Sequence, residues 1–209
     1  MDIEQYILDY SGKEDLILTE LERETNLTML LPRMLSGCIQ GKLLEQISKM
    51  IKPENILEIG TFTGYSAICL AKGLQIHGHL QTIEINDENK TIIDKYLKKA
   101  KIDNKTTLHI GNALNIISEI NDEFDLVFID GDKREYLQYY KAILPKVKKG
   151  GFILADNVLW NNKVLDLPDK IDDYTQGIID FNNYVNNDAK VENFILPIRD
   201  GIMILRKIE

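Results

Sequence analysis

Two aspartates and an asparagine have the types and the placement to do chemistry. Asp130 closes the apolar run 126–129 in DLVFIDGDK, and Asp156, followed by Asn157, closes the run 152–155 in KKGGFILADNVLWN. Continuous apolar runs bounded by turn residues suit strands covered on both faces, as in a parallel sheet. The span between them accommodates one right-handed crossover helix, expected over 136–147. Neighbouring strands lie about 4.8 Å apart, so the three side chains would converge at one sheet edge. A carboxylate, a carboxylate and an amide are hard oxygen ligands that suit magnesium, which keeps its other positions for water or substrate. The plainer readings are that Asp130 caps the next helix and that Asp156 and Asn157 make a turn.

A second constellation lies upstream. In NILEIGTFTGYS, Glu58, Gly60 and Gly64 stand at a strand-to-helix turn, where glycines let backbone approach a ligand closely. The spacing is G-x-x-x-G rather than the G-x-G-x-x-G that cradles a pyrophosphate, so a nucleoside without that group fits better. Glu84, in LQTIEIND, ends the following strand, where a carboxylate accepts hydrogen bonds from both ribose hydroxyls. The alternative is a tight turn beside a solvated charge.

Weaker candidates surround these two. His77-Gly-His79 has a metal-like spacing but no third ligand nearby. His109 falls inside an apolar run, as a core or edge residue. Trp160, in LWNN, reads equally as a wall for an aromatic acceptor and as loop packing. Lys95, Lys98, Lys99 and Lys101 read as a solvated helix face, and they are the one feature that suits an RNA acceptor.

The elements that must position these residues alternate. Strand-like runs at 56–59, 80–83, 107–110, 126–129 and 152–155 are interleaved with helical spans at 65–74, 87–100, from Ala113, and 136–147. This rhythm predicts an α/β fold, a doubly wound and mostly parallel sheet. After a helix over 173–186, strands at 191–196 and 202–206 joined by PIRDG predict an antiparallel hairpin closing the sheet. Residues 1–54 carry helical stripes, stopped by Pro53. Pro32, Gly37 and Gly41 mark a loop between the stripes, and these helices are expected to cover a sheet edge or a dimer surface rather than act as a lid. At 209 residues the chain is simplest as one domain, 1–54 as cover and 55–209 as core. A net charge of −8 opposes broad nucleic-acid binding. Cys38 and Cys69 lack CxxC spacing and read as idle thiols in a reducing compartment. The acidic start and the absence of any apolar run near ~20 residues argue against a signal peptide or membrane span, so the expected location is cytoplasmic.

With these residues in place the chain resembles the S-adenosylmethionine-dependent, metal-dependent O-methyltransferases of the catechol and caffeoyl-CoA type. The likeness runs from about Leu35 to Lys207 and rests on ILEIGTFTGYS, IEIN, FIDGDK, GGFILADNVLWN and LPIRDG. It implies a Rossmann-like seven-stranded sheet, S-adenosyl-L-methionine as cofactor, and Asp130, Asp156 and Asn157 as ligands for a divalent metal such as Mg2+. It gives Glu84 the ribose, Gly60, Thr61 and Ser66 the methionine end of the cofactor, Ala113 the adenine and Asp130 also the cofactor amino group. Lys133 matches the family's general base, and Asn161 and Asp200 match positions that contact the acceptor. The implied acceptor is a small hydroxylated aromatic with vicinal hydroxyls. Some bacterial relatives instead methylate a hydroxylated uridine of tRNA, and relatives are commonly homodimers. Three positions depart from the pattern: Asn112 stands where an acidic residue is usual, Leu35 or its neighbour where a methionine is, and Phe194 near an acidic clamp of the catechol enzyme. Outside this class, a dinucleotide-dependent oxidoreductase is the competing expectation, opposed by the missing third glycine.

Overall fold

The computed structural model describes residues 3–166 and 171–209. Its strands are β1 (Asn55–Ile59), β2 (His79–Glu84), β3 (Thr106–Ile110), β4 (Phe124–Ile129), β5 (Val147–Ala155), β6 (Val191–Leu196) and β7 (Ile202–Lys207). They form one seven-stranded sheet in the order β3-β2-β1-β4-β5-β7-β6. Strands β1 to β5 pair in parallel, and β7 runs antiparallel to both β5 and β6. This is the doubly wound Rossmann-like sheet with a closing hairpin that the alternation predicts.

Helices cover both faces. On one lie α2 (Leu16–Thr28), α3 (Gly37–Ile51), α4 (Tyr65–Ala71) and α5 (Lys90–Lys99); on the other lie α6 (Ala113–Glu119), α7 (Tyr136–Ile143) and α8 (Asp173–Asn186). A further helix, α1 (Ile3–Asp9), precedes them. Side chains of a strand alternate between faces. Accordingly Leu126 and Phe128 of β4 pack with Leu21, Leu44 and Tyr96, whereas Val127 and Ile129 pack with Ile117, Tyr140 and Phe181. Full burial of each such side chain contributes ~1.5–3 kcal/mol, which fixes the register that carries Asp130 to the strand tip.

Several expected boundaries shift for identifiable reasons. The crossover helix ends at Ile143, because Pro145 permits only a 3-10 turn over Leu144–Lys146, and β5 begins at Val147 rather than near residue 152. The polar start of β5 is sustained by Lys148, which reaches Asp125 at 3.0 Å and Glu54 at 3.4 Å. The helix after β1 stops at Ala71; Gly73 then passes so close that a Cβ there would lie 2.2 Å from the Ser48 carbonyl carbon. The span 87–100 divides into a 3-10 turn, Asp87–Asn89, and α5. Gly37 and Gly41 belong to α3, not to a loop. Gly41 is accepted inside that helix because Tyr65 and Cys69 crowd it: a Cβ would meet Tyr65 Cε1 at 2.6 Å. Lys95 and Lys99 are not merely solvated, since they pair with Glu24 and Glu20 and tie α5 to α2.

Candidate active site

The strand order reverses between β1 and β4, and ligands of open parallel sheets bind in the crevice above such a reversal. Here the two chain segments touch. The Asp130 amide donates to the Ile59 carbonyl at 2.8 Å. Gly60 has φ +97°, and a Cβ on it would sit 2.2 Å from the Asp130 carbonyl oxygen, so position 60 demands glycine. Above this junction is a cavity lined by Met34, Leu35, Gly60, Thr61, Ser66 and Asp130. Gly64, φ +94°, then turns the chain into α4.

The N-terminal segment therefore does more than cover an edge. A 3-10 turn, Pro32–Met34, leads through Leu35 and Ser36 to α3, and these residues roof the cavity. Leu35 and its neighbour Met34 both stand in that roof, where the resemblance expects a methionine.

Glu84, at the β2 tip, is 6% exposed. Its Oε2 accepts from the Phe62 amide at 2.7 Å and its Oε1 from the Asn86 amide at 2.9 Å. Burial raises its pKa, while those backbone amides oppose the rise. A carboxylate has about four acceptor sites, so both oxygens keep capacity for two ribose hydroxyls. Ala113 begins α6, where the Asn112 side chain accepts from the Asn115 amide at 3.2 Å. Asn112 thus serves as a helix cap.

Glu58 is fully buried behind the turn. Its Oε2 accepts from Thr82 Oγ1 at 2.5 Å, Thr82 in turn is hydrogen-bonded to Thr61 Oγ1, and its Oε1 has no partner among the described residues. Burial pushes this carboxyl up to about 7, against the pull of the Ser66 and Thr82 hydroxyls. It braces Thr61 and Ser66 from below. Because its folded pKa lies above the unfolded value of 4.5, the native state holds the proton longer. Stability therefore falls as pH rises from 4.5 to about 7 and is flat above. In Glu58→Gln this dependence disappears. The melting temperature of the cofactor-free variant, relative to wild type, should rise between pH 5 and pH 8 by the equivalent of roughly 2–3 kcal/mol. A constant difference across that range would count against the buried acid.

The carboxylates predicted to converge do so. Ile129 pairs with Ala155, so Asp130 and Asp156 extend side by side from neighbouring strands. Burial, and next the charge of Asp130, raise the Asp156 pKa. Asp156 Oδ1 accepts from the Asn157 amide at 2.8 Å, which supports the turn reading as well, and Asn157 has φ +57°. The Asn157 side chain makes no hydrogen bond to any described residue. Among the described residues no group of three or more His, Cys, Asp or Glu side chains is gathered. His79 instead bonds Thr107 and His109, on the edge strand β3, bonds Gln81.

Lys133 follows one turn after Asp130 and is 6% exposed. Its Nζ donates to Asp130 Oδ1 and to the Tyr136 hydroxyl, each at 2.7 Å. The Trp160 ring centroid lies 6.0 Å from Nζ, and Trp160 stacks with Tyr174 at 6.3 Å. The Asn161 amide donates to Asp200 Oδ1 at 2.5 Å, joining the loop after β5 to the β6–β7 turn. Phe194 pairs with Ile204, which pairs with Leu154, so that position is two strands away from β5.

Three participants went unread in the sequence: Gln40, which donates to Asp156 Oδ2 at 2.6 Å, Arg199, which holds Gln40, and Tyr136. Only the alignment of 40 and 199 in space, not any local pattern, reveals them.

The O-methyltransferase family pattern matches residues 8–208. The chain belongs to the O-methyltransferase family. The match takes in α2 and the end of α1, beyond the limit at Leu35 that the motifs alone suggested. This O-methyltransferase is 34% identical to the caffeoyl-CoA O-methyltransferase of Medicago sativa over 98% of this chain and 88% of that protein. Identity to caffeoyl-CoA O-methyltransferase 1 of Arabidopsis thaliana is 32%, over 99% and 85%. The O-methyltransferase TomG of Streptomyces achromogenes, involved in tomaymycin synthesis and solved with S-adenosylmethionine, superposes with a TM-score of 0.92 at 28% identity, covering 99% of this chain and 96% of TomG. An O-methyltransferase of Bacillus cereus in complex with SAH gives 0.91 at 27%, covering 98% and 96%. Family membership favours methyl transfer over the dinucleotide-dependent alternative.

Proposed function

We propose that this O-methyltransferase moves a methyl group from S-adenosylmethionine to one hydroxyl of a small vicinal diol, of catechol or caffeoyl type, held by a divalent cation such as magnesium. The observation that carries the reading is the pairing of β4 with β5, which sets Asp130 and Asp156 together beside the cavity at Gly60 and Ser66. The kinship with caffeoyl-CoA enzymes and with TomG supports it. On this reading the chain is one domain, residues 1–54 covering the core at 55–209.

The donor set fits a cation. Two adjacent carboxylates repel each other, the Asn157 side-chain amide is uncommitted among the described residues, and all three are hard oxygen donors. Asp130, Asp156 and Asn157 would hold the ion, whose charge would stabilise an ionised acceptor oxygen. S-adenosylmethionine, when bound, would supply the methyl as an electrophilic carbon on a sulfonium, with sulfur as the leaving group. The protein's side chains do the rest. Glu84 accepts the ribose hydroxyls, while Thr61, Ser66 and the roof at Met34 and Leu35 enclose the methionine end. A neutral Lys133 Nζ would receive the hydroxyl proton. Trp160 walls the acceptor ring, with Asn161 and Asp200 at its far end. Holding both reactants in one pocket lowers the barrier by up to ~7–11 kcal/mol.

A tRNA uridine would undergo the same chemistry, but Lys95 and Lys99 are already paired with glutamates, which weakens the basic face of α5 as a surface for RNA. A homodimer would form on the exposed apolar residues of the N-terminal segment, among them Tyr10, Leu16 and Leu27. No described helix is long and apolar enough to cross a membrane. A labelled methyl-transfer screen over catechols, caffeoyl esters and undermodified tRNA is expected to give product with a diol and magnesium only. Transfer to RNA alone, or to diols in excess chelator, would reject the reading.

A further inference from the structure

Asp156 is gripped from the opposite side of the molecule. Gln40, in the first turns of α3 and 1% exposed, donates from Nε2 to Asp156 Oδ2 at 2.6 Å. The other end of that amide is also engaged: Arg199, in the β6–β7 turn, donates from Nη1 to Gln40 Oε1 at 2.9 Å. A primary amide has one donor face and one acceptor face, and a flip exchanges them. A guanidinium only donates, so Arg199 selects the orientation in which the Gln40 NH2 group meets the carboxylate. In the flipped form the Gln40 carbonyl would oppose Asp156 and its NH2 would oppose Arg199. The Asp156 plane is then fixed at both oxygens, since Oδ1 accepts from the Asn157 amide. Each oxygen keeps a further acceptor site.

The same Arg199 Nη1 donates to the carbonyls of Leu35, at 3.3 Å, and Ser36. One guanidinium thereby joins the roof of the cavity to the support of Asp156. Nothing in the sequence pattern assigns either residue a role.

We propose that Gln40 and Arg199 are positioning residues for Asp156, with Arg199 acting through Gln40 to hold the carboxylate in its ion-binding orientation. This rests on the reading of Asp156 as a metal ligand. The test is Mn2+ affinity, followed by the electron paramagnetic resonance of free Mn2+ in wild type, Gln40→Leu, Arg199→Met, Arg199→Lys and the Gln40→Leu/Arg199→Met double variant. Groups that orient metal ligands typically affect affinity by about 10- to 100-fold. Gln40→Leu is expected to weaken Mn2+ binding by about tenfold and Arg199→Met by a smaller factor, with the double variant no weaker than Gln40→Leu alone. Arg199→Lys, which still donates, should recover most of the loss. Arg199 lies on an exposed turn, so its variants carry the test should Gln40→Leu fail to fold. No Mn2+ binding by wild type would reject the metal reading itself. Binding by wild type with unchanged affinity in the single variants would overturn the positioning role alone, and losses that multiply in the double variant would overturn the action of Arg199 through Gln40.

Discussion

Asp156→Ala is expected to lower methyl transfer to a diol by about 10^3-fold or more, some 4 kcal/mol of barrier, while S-adenosylmethionine affinity changes only a few-fold. The separation follows from the sheet. Of the groups assigned to the donor, Gly60 and Thr61 follow the tip of β1, Ser66 stands in the first turn of α4 and Glu84 ends β2. Asp156 stands at the tip of β5, on the far side of β4, and does not line that cavity. Removing it deletes one of two adjacent carboxylates, and with it half of the negative charge that would retain a dication. It also leaves the Gln40 amide without its acceptor, a cost of about 1–3 kcal/mol for a buried donor, so Asp156→Asn is the companion variant. The amide introduced by that substitution keeps an oxygen for Gln40 and removes the charge, together with the acceptor that the Asn157 backbone amide uses. Both variants should be inactive with magnesium present and both should bind the donor in calorimetry. Wild-type rates in Asp156→Asn, unaffected by chelator, would remove the cation from the mechanism.

What was legible in the sequence was whatever a short window encodes. β4 reads directly because Leu126, Val127, Phe128 and Ile129 are all buried, two against each helical layer. The turn at Gly60 reads because positive φ and contact with Asp130 leave only glycine. The start of β5 did not read, because Lys148, Lys149, Gly150 and Gly151 have the composition of a turn; strand pairing with β4 and the ion pairs of Lys148 override local preference there. The roof at Met34 to Ser36 did not read either, since what draws it over the cavity is Arg199, more than 160 positions away. Gln40 on α3 looked like one more polar helix residue, and only tertiary contact distinguishes it from Gln46. The resemblance supplied roles for Asn161 and Asp200, and the structure adds that Asp200 Oδ1 is committed to the Asn161 backbone, so it holds the loop after β5.

Lys133→Met should reduce kcat by about 10^2- to 10^4-fold, the range for losing a positioned proton acceptor, with little change in the Michaelis constant for the donor. The lysine is placed rather than free. Its Nζ is fixed by Asp130 and Tyr136, and the Tyr136 hydroxyl reaches the carbonyls of Asp156 at 2.9 Å and Ile129 at 3.2 Å. Its backbone is clamped by Gly177 of α8, where a Cβ would come within 2.4 Å of the Lys133 carbonyl oxygen. A second role is built into the same contact, however. In its protonated form the same side chain balances Asp130, so loss of activity in the methionine variant does not by itself distinguish a base from a counter-charge. Lys133→Arg separates them. Arginine keeps the positive charge beside Asp130 but cannot be deprotonated in a protein, so it preserves the ion pair and abolishes proton acceptance. Low kcat in both variants, at intact donor affinity, identifies Lys133 Nζ as the proton acceptor. Recovery to near wild-type turnover in Lys133→Arg would instead assign the residue to charge balance, and the acceptor hydroxyl would then have to lose its proton to solvent.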